Sequence, residues 1–257
     1  MELVQKLQQK IKAGQPVFGT FLTELDATGI IASMGRCGLD YYVIDTEHGI
    51  HDPSRVRQMI DAGKFFNICP FVRAAGVERG LITGLLDAGA EGIIFPQVRT
   101  IDEVRKAVEF TKYAPVGSRG VHLLRPHTGF VVPDDTLHFF EQSNRSLVTA
   151  IQIETKTAAD IIDQIAAING VDMLYVGPSD LGMDLSCAGQ ITQPAIREIA
   201  AKVVNVCKRE SKIAGYHVND LGELTELRKL GFTFFGYCDA LRIFTEGLQN
   251  LIGRIHG

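Results

Sequence analysis

Short apolar runs alternate along the chain with longer stretches whose apolar residues recur at helical spacing. In the clearest units a helical stretch ends in glycine, an apolar run follows, and a polar loop closes the unit. Gly38 leads into Leu39–Asp45, Gly89 into Gly92–Pro96, Gly170 into Val171–Gly177 and Gly231 into Phe232–Tyr237. A glycine just past a helix end takes the left-handed conformation that other residues resist. Near-continuous apolar strands are what a parallel sheet needs when both faces are covered. The pattern predicts eight strands: Val17–Phe21, Tyr41–Asp45, Asn67–Arg73, Gly92–Pro96, Val148–Ile153, Met173–Gly177, Ile213–His217 and Thr233–Tyr237. Helix starts are expected at Asp52-Pro53, at Thr100 with Glu103, and at Asp220 with Glu223. Strand–helix alternation demands a parallel sheet with right-handed crossovers. Eight units predict a closed (β/α)8 TIM barrel over an open doubly wound sheet, as a single domain over residues 1–257.

Composition narrows the function classes. A chain of 257 residues, 46% hydrophobic and 22% charged, can bury a sizeable core without disulfides or structural metals. The net charge of −4 offers no basic field for nucleic acid or an anionic membrane, so neither is expected as a partner. Cys37, Cys69, Cys187, Cys207 and Cys238 are scattered, with no CxxC pair. They read as small hydrophobes in a reducing compartment, not as a disulfide frame or zinc site. Met1–Gln15 reads as a short amphipathic helix rather than a signal peptide, and no apolar run reaches the length of a membrane span. A soluble cytoplasmic protein is expected.

In a βα barrel the chemistry sits at the C-terminal ends of the strands. The polar residues expected there are Asp45-Thr46-Glu47-His48, Arg73, Gln152 with Glu154, Gly177-Pro178-Ser179-Asp180, and His217. Glu154 and Asp180 follow adjacent strands. Two oxygen ligands with room for water and substrate suit a hard divalent ion, but each residue also reads as a surface acid or helix cap. Asp45 and His48 read either as a carboxylate–imidazole pair that moves a proton or as a structural hydrogen bond. Arg73 either pairs with a structural carboxylate or grips a substrate carboxylate or keto oxygen. Asp87 reads as a residue near a helix end. Backbone N–H groups at Ser179 and Asp180 can receive an anion. The irregular stretch Ala114–Pro133 is long enough to suggest a functional loop.

These motifs together resemble the HpcH/HpaI family of metal-dependent pyruvate aldolases. The matching segments are Asp45–Gly49, Arg73, Leu86–Pro96, Pro115–Gly120, Gln152–Glu154 and Gly177–Leu181, in the family's order across about Val17 to Phe244. The resemblance implies a phosphoenolpyruvate/pyruvate-type barrel that cleaves a 4-hydroxy-2-keto acid to pyruvate and an aldehyde. It implies Glu154 and Asp180 as ligands of Mg²⁺ or Mn²⁺, with Co²⁺ a further option. Arg73 and Gln152 would contact the keto acid, and the backbone at Ser179 and Asp180 would hold its carboxylate. His48, oriented by Asp45 and supported by Asp87, would handle protons. A homo-oligomer, a hexamer by resemblance, is implied, with the last helix packing on a neighbour.

Two features depart from the family's pattern. His217 stands where an apolar residue is expected, and His122–Phe130 replaces a small-residue loop. His217 either recognises a polar group of the substrate or is satisfied by Asp239 or Tyr216. Decarboxylation of an oxaloacetate-like acid and non-catalytic keto-acid binding are the alternative functions. A Schiff-base aldolase would need a lysine at the mouth, where only Lys156 lies nearby.

Overall fold

In a computed structural model that describes residues 2–189 and 193–256, eight parallel strands pair in sequence order and close into a barrel. Met1, residues 190–192 and Gly257, part of the domain expected over 1–257, lie outside the described residues. The strands are β1 (Val17–Leu22), β2 (Tyr41–Asp45), β3 (Cys69–Arg73), β4 (Gly92–Phe95), β5 (Val148–Ile153), β6 (Met173–Val176), β7 (Ile213–Val218) and β8 (Phe234–Asp239). All eight expected strands form, and their bounds move for local reasons. β3 starts at Cys69 because Asn67 has φ +58, a left-handed conformation outside the β region. β4 stops before Pro96, which has no N–H for the ladder. Gly177 leaves β6 to cap the helix Pro178–Asp184.

The expected helix starts form as well. Asp52 accepts a hydrogen bond from Ser54 N–H at 2.7 Å ahead of Pro53. Thr100 and Glu103 complete a reciprocal capping box. Asp220 accepts from Gly222 N–H at 2.9 Å, so it caps its helix alone, without Glu223.

The seam where the first strand meets the last is irregular. Gly19 pairs with Gly236 but Phe21 with Asp239, so two steps along β1 oppose three along β8. The extra residue falls beside Cys238, whose φ is +46. Such a bulge redirects side chains at a barrel rim, and here it brings Cys238 and Asp239 to the mouth.

The core has two layers. An outer layer fills the space between strands and helices, with Ile44, Ile60, Ile93, Ile151 and Leu174 fully buried. The inner layer fills the barrel with Tyr41, Phe71, Ile94, Met173, Tyr175 and Phe234. Tyr41 stacks on Phe234 at 4.1 Å between centroids. Glycine makes room for these rings. A Cβ on Gly92 would stand 2.1 Å from the Phe71 ring, and one on Gly236 would stand 2.3 Å from the Tyr175 hydroxyl. Val4 and Leu7 of the N-terminal helix Glu2–Lys12 close the bottom of the barrel, where Glu91 accepts the Val4 N–H at 2.7 Å.

The stretch Ala114–Pro133 contains one short 3-10 turn, Pro126–Thr128. Arg119 pins it, stacked over Tyr113 at 4.6 Å and paired with Asp87 at 3.4 Å. All five cysteines are free. Cys69, Cys207 and Cys238 are buried as expected, Cys187 is half-buried, and Cys37 is exposed. No described helix is long and apolar enough to cross a membrane. The C-terminal helix Ala240–His256 exposes Phe244, Leu248, Leu251, Ile252 and Ile255.

Candidate active site at the barrel mouth

A cavity of about 300 Å³ opens at the C-terminal ends of the strands. Its walls include Asp45, His48, Arg73, Gln152, Ser179, Asp180 and His217, so most of the expected residues do converge. Phe21, Thr23, Asn219, Cys238, Asp239 and Arg242 complete it.

Asp45 and Arg73 are register partners at the ends of β2 and β3. Arg73 donates through Nε to Asp45 Oδ1 at 2.9 Å and through Nη2 to Oδ2 at 2.6 Å. Its Nη1 lies 3.2 Å from Glu47 Oε2, and its guanidinium stands 5.1 Å from the centre of the Phe21 ring. Burial alone would raise the Asp45 carboxyl, but the Arg73 bonds and charge and the N–H groups of Glu47 and His48 more than offset it. The net pKa is below the usual carboxylate value.

This pair changes the expectation for His48. Asp45 accepts the His48 backbone N–H at 3.4 Å, but Arg73 occupies its carboxylate and Asp45 does not orient the imidazole. The His48 ring is exposed, with Nε2 3.9 Å from Glu47 Oε2. Asp87 does not support His48 within this chain either. Its carboxylate faces Arg119 at 3.4 Å, Arg125 at 3.7 Å and His127 at 3.9 Å, because those residues of the long loop fold down onto its helix, Arg79–Ala88.

Glu154 is buried just past β5. Its Oε1 accepts the Gln97 N–H at 2.6 Å and its Oε2 accepts from Gln152 Nε2. Burial pushes its carboxyl up to about 7, with the charges of Glu47 and Asp180 adding to the rise while Gln97 N–H and Arg73 oppose it. Burial likewise raises Glu47, assisted by Asp45 and Asp180. Gly177 leaves room for both side chains, since a Cβ there would stand 2.8 Å from Gln152 Nε2 and 2.9 Å from Glu154 Oε2 and would displace them.

Glu154 and Asp180 fit a divalent cation by the chemistry of their oxygens and by what surrounds them. Two carboxylate donors suit a hard cation that keeps several waters, although among the described residues no group of three or more His, Cys, Asp or Glu is arranged to hold an ion. Glu154 meets uncompensated negative charge that a cation would relieve. Gln152 Oε1 is buried without a hydrogen-bond partner.

His217 is neutral. Burial and the Arg73 charge lower its pKa to about 4. Its Nδ1 lies 3.3 Å from the Tyr175 hydroxyl, its ring meets Phe21 edge-on at 5.0 Å, and Asn219 is a further hydrogen-bonding partner. Neither expected partner bonds to it. Tyr216 points away from the barrel axis, against Phe232 at 5.1 Å. Asp239 accepts from Thr23 N–H at 3.2 Å and Leu241 N–H at 2.7 Å. Lys156 pairs with Asp160 at 3.0 Å on the surface, and no lysine lines the cavity among the described residues.

Sequence reasoning missed the roles of Phe21, Thr23, Glu47, Asn219, Asp239 and Arg242. Glu47 lay inside a recognised motif and Asn219 two residues past His217, so strand-end position could have found both. Asp239 and Arg242 reach the mouth through the β8 bulge, which has no sequence mark.

The sequence profile of the HpcH/HpaI aldolase/citrate lyase family matches residues 18–237. A 5-keto-4-deoxy-D-glucarate aldolase from Salmonella arizonae is 32% identical over 219 residues, covering 85% of this chain and 84% of that protein. A hydroxypyruvate/pyruvate aldolase from Paraburkholderia phytofirmans is 29% identical over 234 residues, covering 89% and 88%. Among solved structures, an HpcH/HpaI aldolase from Desulfitobacterium hafniense has a TM-score of 0.91 at 28% identity, covering 97% of this chain and 96% of that one.

Proposed function

The chain belongs to the HpcH/HpaI aldolase/citrate lyase family and is a carbon–carbon lyase of the aldolase type, and on that premise we propose that it cleaves a 4-hydroxy-2-keto acid to pyruvate and an aldehyde with the help of a divalent cation held by Glu154 and Asp180. The single observation behind the site assignment is the meeting of Arg73, fixed by Asp45, with the acid cluster of Glu47, Glu154 and Asp180 at one mouth. One strong cation and a set of under-compensated carboxylates are what a keto acid and a metal ion would together complete.

When bound, Mg²⁺ or Mn²⁺ supplies Lewis-acid stabilisation of the negative charge that develops on the keto oxygen. The side chains do the rest. Arg73 adds positive charge beside that oxygen, and Asp45 keeps its guanidinium from turning away. Gln152 contacts the keto acid, whose carboxylate lies toward the backbone at Ser179 and Asp180. His48, exposed at the rim beside Glu47, takes the proton of the 4-hydroxyl. The O–H electrons form the aldehyde carbonyl, the carbon–carbon bond breaks, and its electrons pass to the pyruvate half, where a proton completes the methyl group. Addition runs these steps backwards.

In this reading residues 1–257 are one barrel domain acting in the cytoplasm, in keeping with the free cysteines. The protein is a homo-oligomer, a hexamer by family resemblance, a reading supported by the exposed apolar side chains of helix Ala240–His256.

The test is exchange of pyruvate's methyl protons in D₂O with Mg²⁺ or Mn²⁺, followed by NMR. Exchange that EDTA abolishes is expected. No exchange with either ion would overturn the pyruvate reading and favour non-catalytic binding. Release of CO₂ from oxaloacetate without any aldehyde addition would favour the decarboxylase.

A further inference from the structure

Arg73 has little of its guanidinium left over for a substrate. Nε and Nη2 are committed to Asp45, which leaves Nη1, 3.2 Å from Glu47 Oε2, to reach anything else. Where Nη1 points is therefore set by how the Asp45 carboxylate lies. The last side-chain torsion of an aspartate is broad, so a carboxylate held at one oxygen still pivots about it.

The two oxygens of Asp45 are held differently. Oδ1 accepts the backbone N–H groups of Glu47 at 3.1 Å and His48 at 3.4 Å, besides Arg73 Nε. Oδ2 accepts Arg73 Nη2, and its one other donor among the described residues is the Thr23 hydroxyl, at 3.2 Å. Thr23 is itself anchored. It lies one residue past β1 and two from Phe21, and both side chains line the cavity. Its backbone N–H donates to Asp239 Oδ2 at 3.2 Å across the irregular seam. Asp239 takes the N–H and Asp45 the O–H, so one threonine ties carboxylates of β8 and β2 to the end of β1. A β-branched side chain has few χ1 states, so fixing its backbone goes far toward fixing its hydroxyl. Phe21, buried with its ring centre 5.1 Å from the guanidinium, blocks Arg73 from one face.

We propose that Thr23 is a positioning residue for keto-acid binding, locking the Asp45 carboxylate at its second oxygen and so presetting the Arg73 guanidinium before the substrate arrives. This rests on the aldolase reading above. Without the hydroxyl the guanidinium is correctly set for only part of the time, and affinity falls by that fraction. Once the keto acid is bound the guanidinium is in place, so turnover changes little.

The test is Mn²⁺-dependent exchange of pyruvate's methyl protons by wild type, Thr23→Val, Thr23→Ser, Asp45→Asn and the double variant of Thr23→Val with Asp45→Asn. Thr23→Val keeps the shape and removes the hydroxyl. It should raise KM about three- to tenfold, the scale of one hydrogen bond, with kcat within about twofold of wild type. Thr23→Ser keeps the hydroxyl and should recover most of the wild-type KM. Because Thr23 acts through Asp45, Thr23→Val should raise KM much less in the Asp45→Asn background than in the wild type. An unchanged KM in Thr23→Val, no recovery in Thr23→Ser, or full additivity with Asp45→Asn would overturn the proposal and leave Thr23 a seam residue, whatever the melting temperatures do. The aldolase reading fails separately: wild type then shows no exchange, and the same ratios are read from the Kd for pyruvate by calorimetry with Mn²⁺. A wild type that neither exchanges nor binds pyruvate overturns both.

Discussion

Asp45 holds Arg73 by two hydrogen bonds between register partners, so the guanidinium enters the cavity already oriented. Both side chains are buried. Removing one partner leaves an uncompensated charge, so Asp45→Ala should cost about 3–5 kcal/mol of stability, measured by denaturant unfolding. Methyl-proton exchange from pyruvate should fall with it. Asp45→Asn, which keeps an acceptor, should lose less stability and still raise the KM for the keto acid. Because the folded pKa of Asp45 is depressed, its contribution is full above its unfolded value and disappears as pH falls through the folded one.

Glu154→Gln should move stability in opposite directions with and without metal. In the metal-free protein the Glu154 carboxyl titrates near 7, against 4.5 when unexposed to the fold. Between those values the folded chain holds a proton that the unfolded chain has released, so stability falls as pH rises through the window. At pH 8 the substitution should therefore stabilise the metal-free protein, on the order of 2 kcal/mol. The thermal shift that Mn²⁺ gives the wild type should vanish. A shift retained in both Glu154→Gln and Asp180→Asn would remove these residues as ligands.

His127 supplies a pH effect of the other sign. Burial and the Arg119 charge lower its pKa to about 4 from 6.5. Below 6.5 the unfolded chain takes up a proton that the folded chain refuses, so stability drops as pH falls from 6.5 toward 4. His127→Gln should flatten that limb by on the order of 2 kcal/mol at pH 5, read from melting temperatures at pH 5 and pH 7.5. His217 is depressed in the same direction, so the single variant should remove only part of the slope.

The last helix should govern assembly. Phe244 and Leu251 are exposed apolar residues on it, and replacing both with glutamate should lower the solution mass seen by light scattering without unfolding the barrel. An unchanged mass would place any subunit contact elsewhere.

The barrel was legible because both faces of each strand are covered, which leaves a near-continuous apolar run that sequence alone exposes. The gathering of polar residues at one mouth was legible for the same reason: Arg73 and Gln152 stand in the last two positions of their strands and Asp180 in the first turn after β6. What failed was pairing. Position along the chain puts Asp45 three residues from His48, yet the register of β2 on β3 sets it against Arg73, and register is a property of two strands at once. Asp87 sits in a recognised motif, but its partners come from a loop 32 and 40 residues on, at Arg119 and His127. The β8 bulge was invisible because Cys238 has no residue-type preference for positive φ.

The irregular seam between β1 and β8 also bears on how the protein comes into being. It joins Val17 to Phe234, so the ring cannot close until almost the whole chain has left the ribosome. Contacts of such long sequence separation are slow to form and leave strand edges open meanwhile. The residues at that seam, Phe21, Thr23, Cys238 and Asp239, line one side of the mouth. During synthesis the strands that carry Asp45, Arg73 and Gln152 are therefore laid down first. The cavity has its full lining only at the moment the last strand is in place.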